Sequence, residues 1–303
     1  VASAVKLAQD EIRIEAPVIP DIKINTEALE KATQAINAAD VQAQVEAVRV
    51  QSDVMARIRD TNFSGMPRIE KKSNSIPVKG VPKVTIEAPG CSVRVRGWDK
   101  QEVQYTVVKF TDNLNRAPIQ MKDDHSDSTV NISVVSTGAA VPNDDPNRVR
   151  IEVFVPKRSD IKITTNEEIR IEGVSGAVDL SGDKESIDVR DVDGKMNVSN
   201  DCGQIRVIGF RGELDARTKE GSLYLEGDFD RLSANAADGT VTLTLPSGAN
   251  ASIVSNTEVE SEGLDLVKQE DSIWRIGNGE RKYKFDFDEG HLIVRNASEI
   301  AGY

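Results

Sequence analysis

The chain has 303 residues, enough for one elongated domain or two compact ones. Fifty acidic side chains against 38 basic ones leave a net charge of −12. That argues against a nucleic-acid binder, which needs a basic face to displace counterions, and disfavours docking on anionic lipid. Apolar residues make up 38% and aromatics only 4%, so any core is thin and built from Val, Ile and Leu.

The chain opens VASAVKLAQDE, which lacks the charged and apolar regions of an intact signal peptide. It is either the trailing end of a removed signal or anchor, or an ordinary terminus. No run of 18 apolar residues follows anywhere, so nothing spans a membrane as a helix. Residues 1–25 contain EIRIEAPVIPDIKI, an extended segment broken by Pro17 and Pro20. Residues 26–62 are rich in Ala, Gln and Glu with no Gly or Pro, which predicts one long α-helix. Asn25 or Thr26 caps it, and Glu27 and Glu30 sit near its positive end. Its apolar seam of Val41, Val48, Met55 and Ile58 is interrupted by Gln44 and Gln51, so it packs or self-associates only weakly. Residues 63–82 form a linker.

Residues 83–158 are predicted to be an irregular β opening, with strands at KVTIE, CSVRVRGW, EVQYTVVKF, TVNISVV and VRIEVFVP. The next section, 159–256, restarts one pattern every 18 residues: SDIKITTNEEIRIEGVSG, AVDLSGDKESIDVRDVDG, KMNVSNDCGQIRVIGFRG, ELDARTKEGSLYLEGDFD and RLSANAADGTVTLTLPSG. Ile169, Ile187, Ile205, Leu223 and Val241 recur in one column, and Ile171, Val189, Val207, Leu225 and Leu243 in another. Across the coil stand Val178/Leu180, Met196/Val198, Leu214/Ala216 and Leu232/Ala234, with Gly203, Gly221 and Gly239 marking one corner. Two apolar faces per coil exclude the three-faced hexapeptide helix. They predict a right-handed parallel β-solenoid with two strands per coil, each pairing with its equivalent about 4.8 Å away. Outward columns such as Arg170, Asp188, Arg206 and Glu172, Arg190 avoid stacking like charges, with gains of about 0.2–1 kcal/mol per opposite pair. Residues 257–303 supply a C-terminal β cap, needed because an open end invites association.

Little in this pattern carries chemistry. No nucleophile elbow, phosphate-binding loop, HExxH or CxxC is present. The sequence names no catalytic residue, no cofactor-binding residue, no metal ligand and no cofactor. Cys91 and Cys202 fall at well-separated turns and are expected to be unpaired thiols, and His125 and His291 lack metal-ligand spacing. Asp123/Asp124/Asp127 and Asp144/Asp145 lack calcium-loop spacing and are expected to be solvated loop acids. Tyr224 is the only Trp or Tyr on the regular coils, where a sugar platform would lie, which argues against a polysaccharide-acting enzyme.

The opening VTIEAPGCSVRVRGW, the passage VRIEVFVPKRSDIKITT into Gly-terminated coils, and the closing IGNGERKYKFDFDEGHLIVR resemble the bacterial putative-adhesin β-solenoid family, over roughly residues 80–296. The resemblance implies a fold and no catalytic residues. A non-enzymatic cell-surface or periplasmic protein serving adhesion or assembly is the expectation, with homo-oligomers or filaments, another surface protein or a glycan as partners. Nucleic acid is excluded, and a membrane enters only through a missing anchor. The alternative is the extracytoplasmic portion of a membrane-anchored envelope sensor or metallopeptidase receptor, which a series of hydrophobic spans upstream of Val1 would support.

Overall fold

A computed structural model describes residues 68–111, 120–135 and 149–297. Strand formation follows from period-2 alternation of β-branched residues, whose inward set is buried almost without exception. The described strands begin with β1 (Arg68–Pro77), β2 (Lys83–Glu87), β3 (Cys91–Trp98), β4 (Glu102–Thr111) and β5 (Gln120–His125). Then come β6 (Thr129–Val135), β7 (Val149–Pro156), β8 (Asp160–Thr164), β9 (Ile169–Glu172), β10 (Ser175–Ser181) and β11 (Ile187–Arg190). A single long strand, β12 (Asp193–Leu245), precedes β13 (Ala251–Ser255), β14 (Val259–Glu262), β15 (Val267–Glu270), β16 (Ile273–Ile276) and β17 (Arg281–Asn296). β1 lies within 63–82, the stretch expected as linker. Among the described residues there is no α-helix. The helix expected over 26–62 and the extended segment 1–25 lie outside the described residues.

The expected right-handed parallel β-solenoid is corrected by the pairing. The strands belong to one mixed 17-stranded sheet that curls, barrel-like, round a single apolar core. β1 pairs antiparallel with β4, β4 with β7, β5 with β6, and β16 with both β13 and β15. Parallel ladders run between them, with partners 18 residues apart where β11 lies between β9 and β12: Ile169, Ile187 and Ile205 stand side by side. The physical reason for the difference is that alternation decides which side chains face inward but not the direction of the neighbouring strand. Backbone pairing also continues through corners that read as turns, so segments expected as separate strands merge into the 53-residue β12.

The core holds every apolar column named above. Ile187, Val189, Ile205, Val207, Leu223, Leu225, Val241 and Leu243 face Val178, Leu180, Met196, Val198, Leu214, Ala216, Leu232 and Ala234, all buried. Each full-size side chain removed from water contributes about 1.5–3 kcal/mol. Aromatic rings thicken the core toward β17. Phe210 and Phe229 stack at 5.8 Å, Phe229 meets Tyr283 edge-on at 6.2 Å, and the Tyr283 hydroxyl donates to Phe229 O at 2.9 Å.

The backbone turns by two chemically different corners. At one, Gly176, Gly194 and Gly212 stack, the last two at φ +123° and +124°. A Cβ on Gly212 would fall well inside 3.0 Å of the Gly194 carbonyl oxygen, and one on Gly194 equally close to that of Gly176. The other corner, besides Gly203, Gly221 and Gly239, buries the polar side chains Thr165, Asn200 and Thr218, and Ser255 is buried near it on β13. Each donates to a backbone carbonyl of the turn. Asn200 Nδ2 donates to Glu185 O at 2.7 Å and to Cys202 O, Thr218 Oγ1 to Glu220 O at 3.4 Å, and Ser255 Oγ to Thr257 O at 3.1 Å. The Thr165 hydroxyl lies 2.9 Å from Ala88 O and 2.8 Å from Cys91 O, sharing its one hydrogen between them.

Candidate functional site

Two features stand out on this frame, a groove and the open edges of the sheet. The groove runs along the turn that follows the inner pairs Val189, Val207 and Leu225. It encloses about 440 Å³ and is lined by Asp191, Arg211, Glu226, Asp228 and Thr244, over a floor that includes Gly209 and Gly227. Asp191 is the one described non-glycine residue with positive φ, at 51°, a conformation aspartate tolerates better than most residues. Its carboxylate leans over Gly209, where a Cβ would stand 2.6 Å from Oδ1. A Cβ on Gly227 would instead meet the Phe210 carbonyl oxygen, so the strands pack backbone to backbone there.

The charges there are unevenly matched. Arg211 is gripped by Asp193, Nε to Oδ1 at 2.7 Å and Nη2 to Oδ2 at 3.0 Å. Arg190 is held by its own strand's Asp188 at 3.1 Å rather than by Glu172 on the neighbouring strand, which instead meets Arg96 at 3.6 Å. Arg281 pairs with Asp228. These charge-assisted bonds hold all three guanidiniums above their usual range. Each guanidinium is thereby taken by a carboxylate other than Asp191 or Glu226. Among the described residues Glu226 accepts only the Tyr224 hydroxyl, at 3.3 Å. Thr244 is fully buried, and its Oγ1 has no hydrogen-bond partner among the described residues.

The open edges lie at opposite ends of the pairing network. Among the described strands, β1 pairs only with β4 and β5 only with β6, while β14 pairs only with β17 and β15 only with β16. On β1, Lys71 and Lys72 stand against the single acid Glu70. Residues 258–271, which carry β14 and β15, hold Glu258, Glu260, Glu262, Asp265, Glu270 and Asp271 against the single base Lys268. Apolar surface accompanies the basic edge: Ile69 and Phe110 are cross-strand partners yet 62% and 39% exposed. At the acidic end Val267 is also exposed.

Residues singled out in the sequence fall elsewhere. Asn74 Nδ2 donates to Asp123 at 3.3 Å, His125 lies 3.9 Å from the same carboxylate, and Lys79 meets Asp127 at 2.8 Å. Asp144 and Asp145 lie outside the described residues. Among the described residues no three His, Cys, Asp or Glu side chains gather as a metal site, and no helix is long and apolar enough to cross a membrane. Cys91 and Cys202 are free thiols. Burial pushes Cys91 up to about 12. Tyr224 lies beneath the Arg206 guanidinium, 5.6 Å from its ring centre, so its face is not an open sugar platform. The groove acids were missed because each reads as a solvated charge. Thr244 was missed because TVTLTL alternates and puts it on the outward face.

No family model matches the chain, and no curated protein does. Among solved structures the chain is similar to a "putative cell adhesion protein" from Clostridium sporogenes, 11% identical over 76% of this chain and 100% of that one, TM-score 0.35. It is also similar to a "putative adhesin" from Bacteroides fragilis, 14% identical over 75% and 97%, TM-score 0.37. A third is a "putative lipid binding protein" from Parabacteroides distasonis, 11% identical over 75% and 97%, TM-score 0.24. Overlap at this level assigns neither a family nor a function to this chain.

Proposed function

We propose that this chain is a non-enzymatic surface or periplasmic scaffold that acts by assembling, one copy's basic edge meeting the acidic end of the next. The observation that supports this most is the opposite charge of the unpaired edges, β1 against β14 and β15. An unpaired strand offers a row of backbone donors and acceptors that a strand from another chain can complete. Because the two edges differ, such a contact is head-to-tail, and repeating it builds a row rather than closing a dimer. Ile69 and Phe110 add apolar area to the basic edge, and the resemblance read from residues 80–296 points to the same class of protein.

Light scattering after size exclusion tests this on the full chain. Mass is expected to rise with protein concentration at low salt and to fall as salt screens the edges. The double variant Lys71→Glu/Lys72→Glu is expected to stay monomeric while keeping the melting temperature of the parent. A parent that is monomeric at every concentration and salt level would remove the reading.

A further inference from the structure

We infer that the groove at Asp191 and Glu226 is a binding site for an organic cation with N–H donors, a primary ammonium or a guanidinium. Three independent observations converge there. The first is the charge imbalance. Arg190, Arg211 and Arg281 are engaged by Asp188, Asp193 and Asp228, which leaves Asp191 and Glu226 without an ion pair among the described residues. Two carboxylates facing a partly enclosed space create a negative potential that a cation relieves.

The second is Thr244, whose hydroxyl is buried in the wall of the same groove with no partner. A buried polar atom left unpaired is costly, and a bound N–H donor would satisfy it. The third is shape. Gly209 and Gly227 leave the floor without side chains, and about 440 Å³ accommodates a short amine or one amino-acid side chain.

The charge pattern also fixes what the ligand is not. A free anion meets Asp191 and Glu226, neither of which has an ion pair within contact distance among the described residues. A bare metal ion lacks a gathered donor set, because no three acidic, His or Cys side chains cluster among the described residues. An ammonium or guanidinium suits carboxylates spread along a groove, since its several N–H groups point in different directions.

The chemistry has two sources, a free amine or a Lys or Arg side chain presented by another protein. Titration calorimetry on the full chain at low salt separates them, using putrescine as one probe and the capped tripeptide Gly-Lys-Gly as the other. Saturable binding of either supports the site, and the tighter of the two identifies the source. Asp191→Asn keeps a residue that tolerates positive φ, and with Glu226→Gln it is expected to weaken binding by about tenfold or more each. Thr244→Val is expected to weaken it less. Asp201→Asn, outside the groove, is expected to leave it unchanged. Circular dichroism and melting of each variant exclude loss of fold as the cause. Absence of saturable binding of both probes would overturn the inference, as would equal loss in Asp201→Asn or equal affinity for the uncharged 1,4-butanediol. A monomeric chain that still binds amines would overturn the assembly reading while leaving this one standing.

Discussion

The two corners of the sheet share stacked glycines, and one of them adds buried polar side chains. At Gly176, Gly194 and Gly212 the chain turns so tightly that backbone occupies the space of a side chain. At the corner of Thr165, Asn200 and Thr218 glycines stack as well, Gly203, Gly221 and Gly239, but a buried polar side chain also fills the bend and bonds its carbonyls. The first corner is governed by exclusion, so any added atom is harmful. The second adds hydrogen-bond satisfaction to exclusion, so a removed atom is harmful there too. A sheet that curls round a core needs both, since backbone pairing has to continue through each bend without leaving buried polar groups unpaired.

The largest expected effect tests the exclusion corner. Gly212→Val places a branched side chain against the Gly194 carbonyl at a φ of +124°. Denaturant unfolding is expected to show a loss of about 3 kcal/mol or more. A loss under about 1 kcal/mol would mean that the corner opens without cost.

Asn200→Ala comes next, because it leaves the Glu185 and Cys202 carbonyls without their side-chain donor. The expected loss is about 2–3 kcal/mol. Thr218→Val removes a single long bond and should cost about 1 kcal/mol. If the order of these two is reversed in the same unfolding assay, hydrogen-bond satisfaction is not what this corner requires.

Cys91, whose carbonyl is one of those held by Thr165, links the same corner to pH. Burial raises its thiol from 9.0 to about 12. The unfolded chain therefore releases this proton first, and stability falls as pH climbs from 9 to 12, by up to about 1.4 kcal/mol per unit. Tyr105 and Tyr283, also raised by burial, add the same sign above 10. Cys91→Ala is expected to flatten the slope between pH 9 and 10, read as melting temperature against pH. An unchanged slope would show that the thiol is not held protonated by the fold.

Gly209→Ala gives the smallest effect and sharpens the contrast. Its φ is +68°, but the nearest obstacle is the Asp191 carboxylate, a movable side-chain end rather than backbone. Its cost is expected to be about 1 kcal/mol, mostly from the left-handed conformation. A cost matching that of Gly212→Val would erase the distinction between the two kinds of glycine.

The inward residues were legible in the sequence because a strand's two faces impose period 2. Ile187 and Val189, Leu223 and Leu225, and Met196 and Val198 lie in the core where their columns put them. Sheet closure was not legible. Antiparallel strands such as β1, β4 and β16 show the same alternation as parallel ones, and strand direction is decided by connections whose composition does not differ. Nor were the polar plugs. Asn200 and Thr218 sit in stretches rich in Ser, Asn and Lys that read as solvated turns, although both are buried. The groove escaped notice for a related reason. Its acids are separated by a rung or more in the sequence, and only the stacking of strands brings Asp191, Glu226 and Thr244 to one opening.

Assembly through the edges is tested most directly by mixing two charge-reversed chains. Lys71→Glu/Lys72→Glu makes the basic edge acidic, and Glu258→Lys/Glu260→Lys/Glu270→Lys/Asp271→Lys makes the acidic end basic while sparing Glu262, which pairs with Arg295. Each variant alone sets like charges against each other and is expected to be monomeric by light scattering. Mixed at low salt, the untouched basic edge of one variant meets the untouched acidic end of the other, and the acidic edge of one meets the basic end of the other. The mixture is therefore expected to regain the mass of the parent. A parent that assembles while the mixture stays monomeric, or variants that assemble as readily as the parent, would contradict an edge contact set by charge.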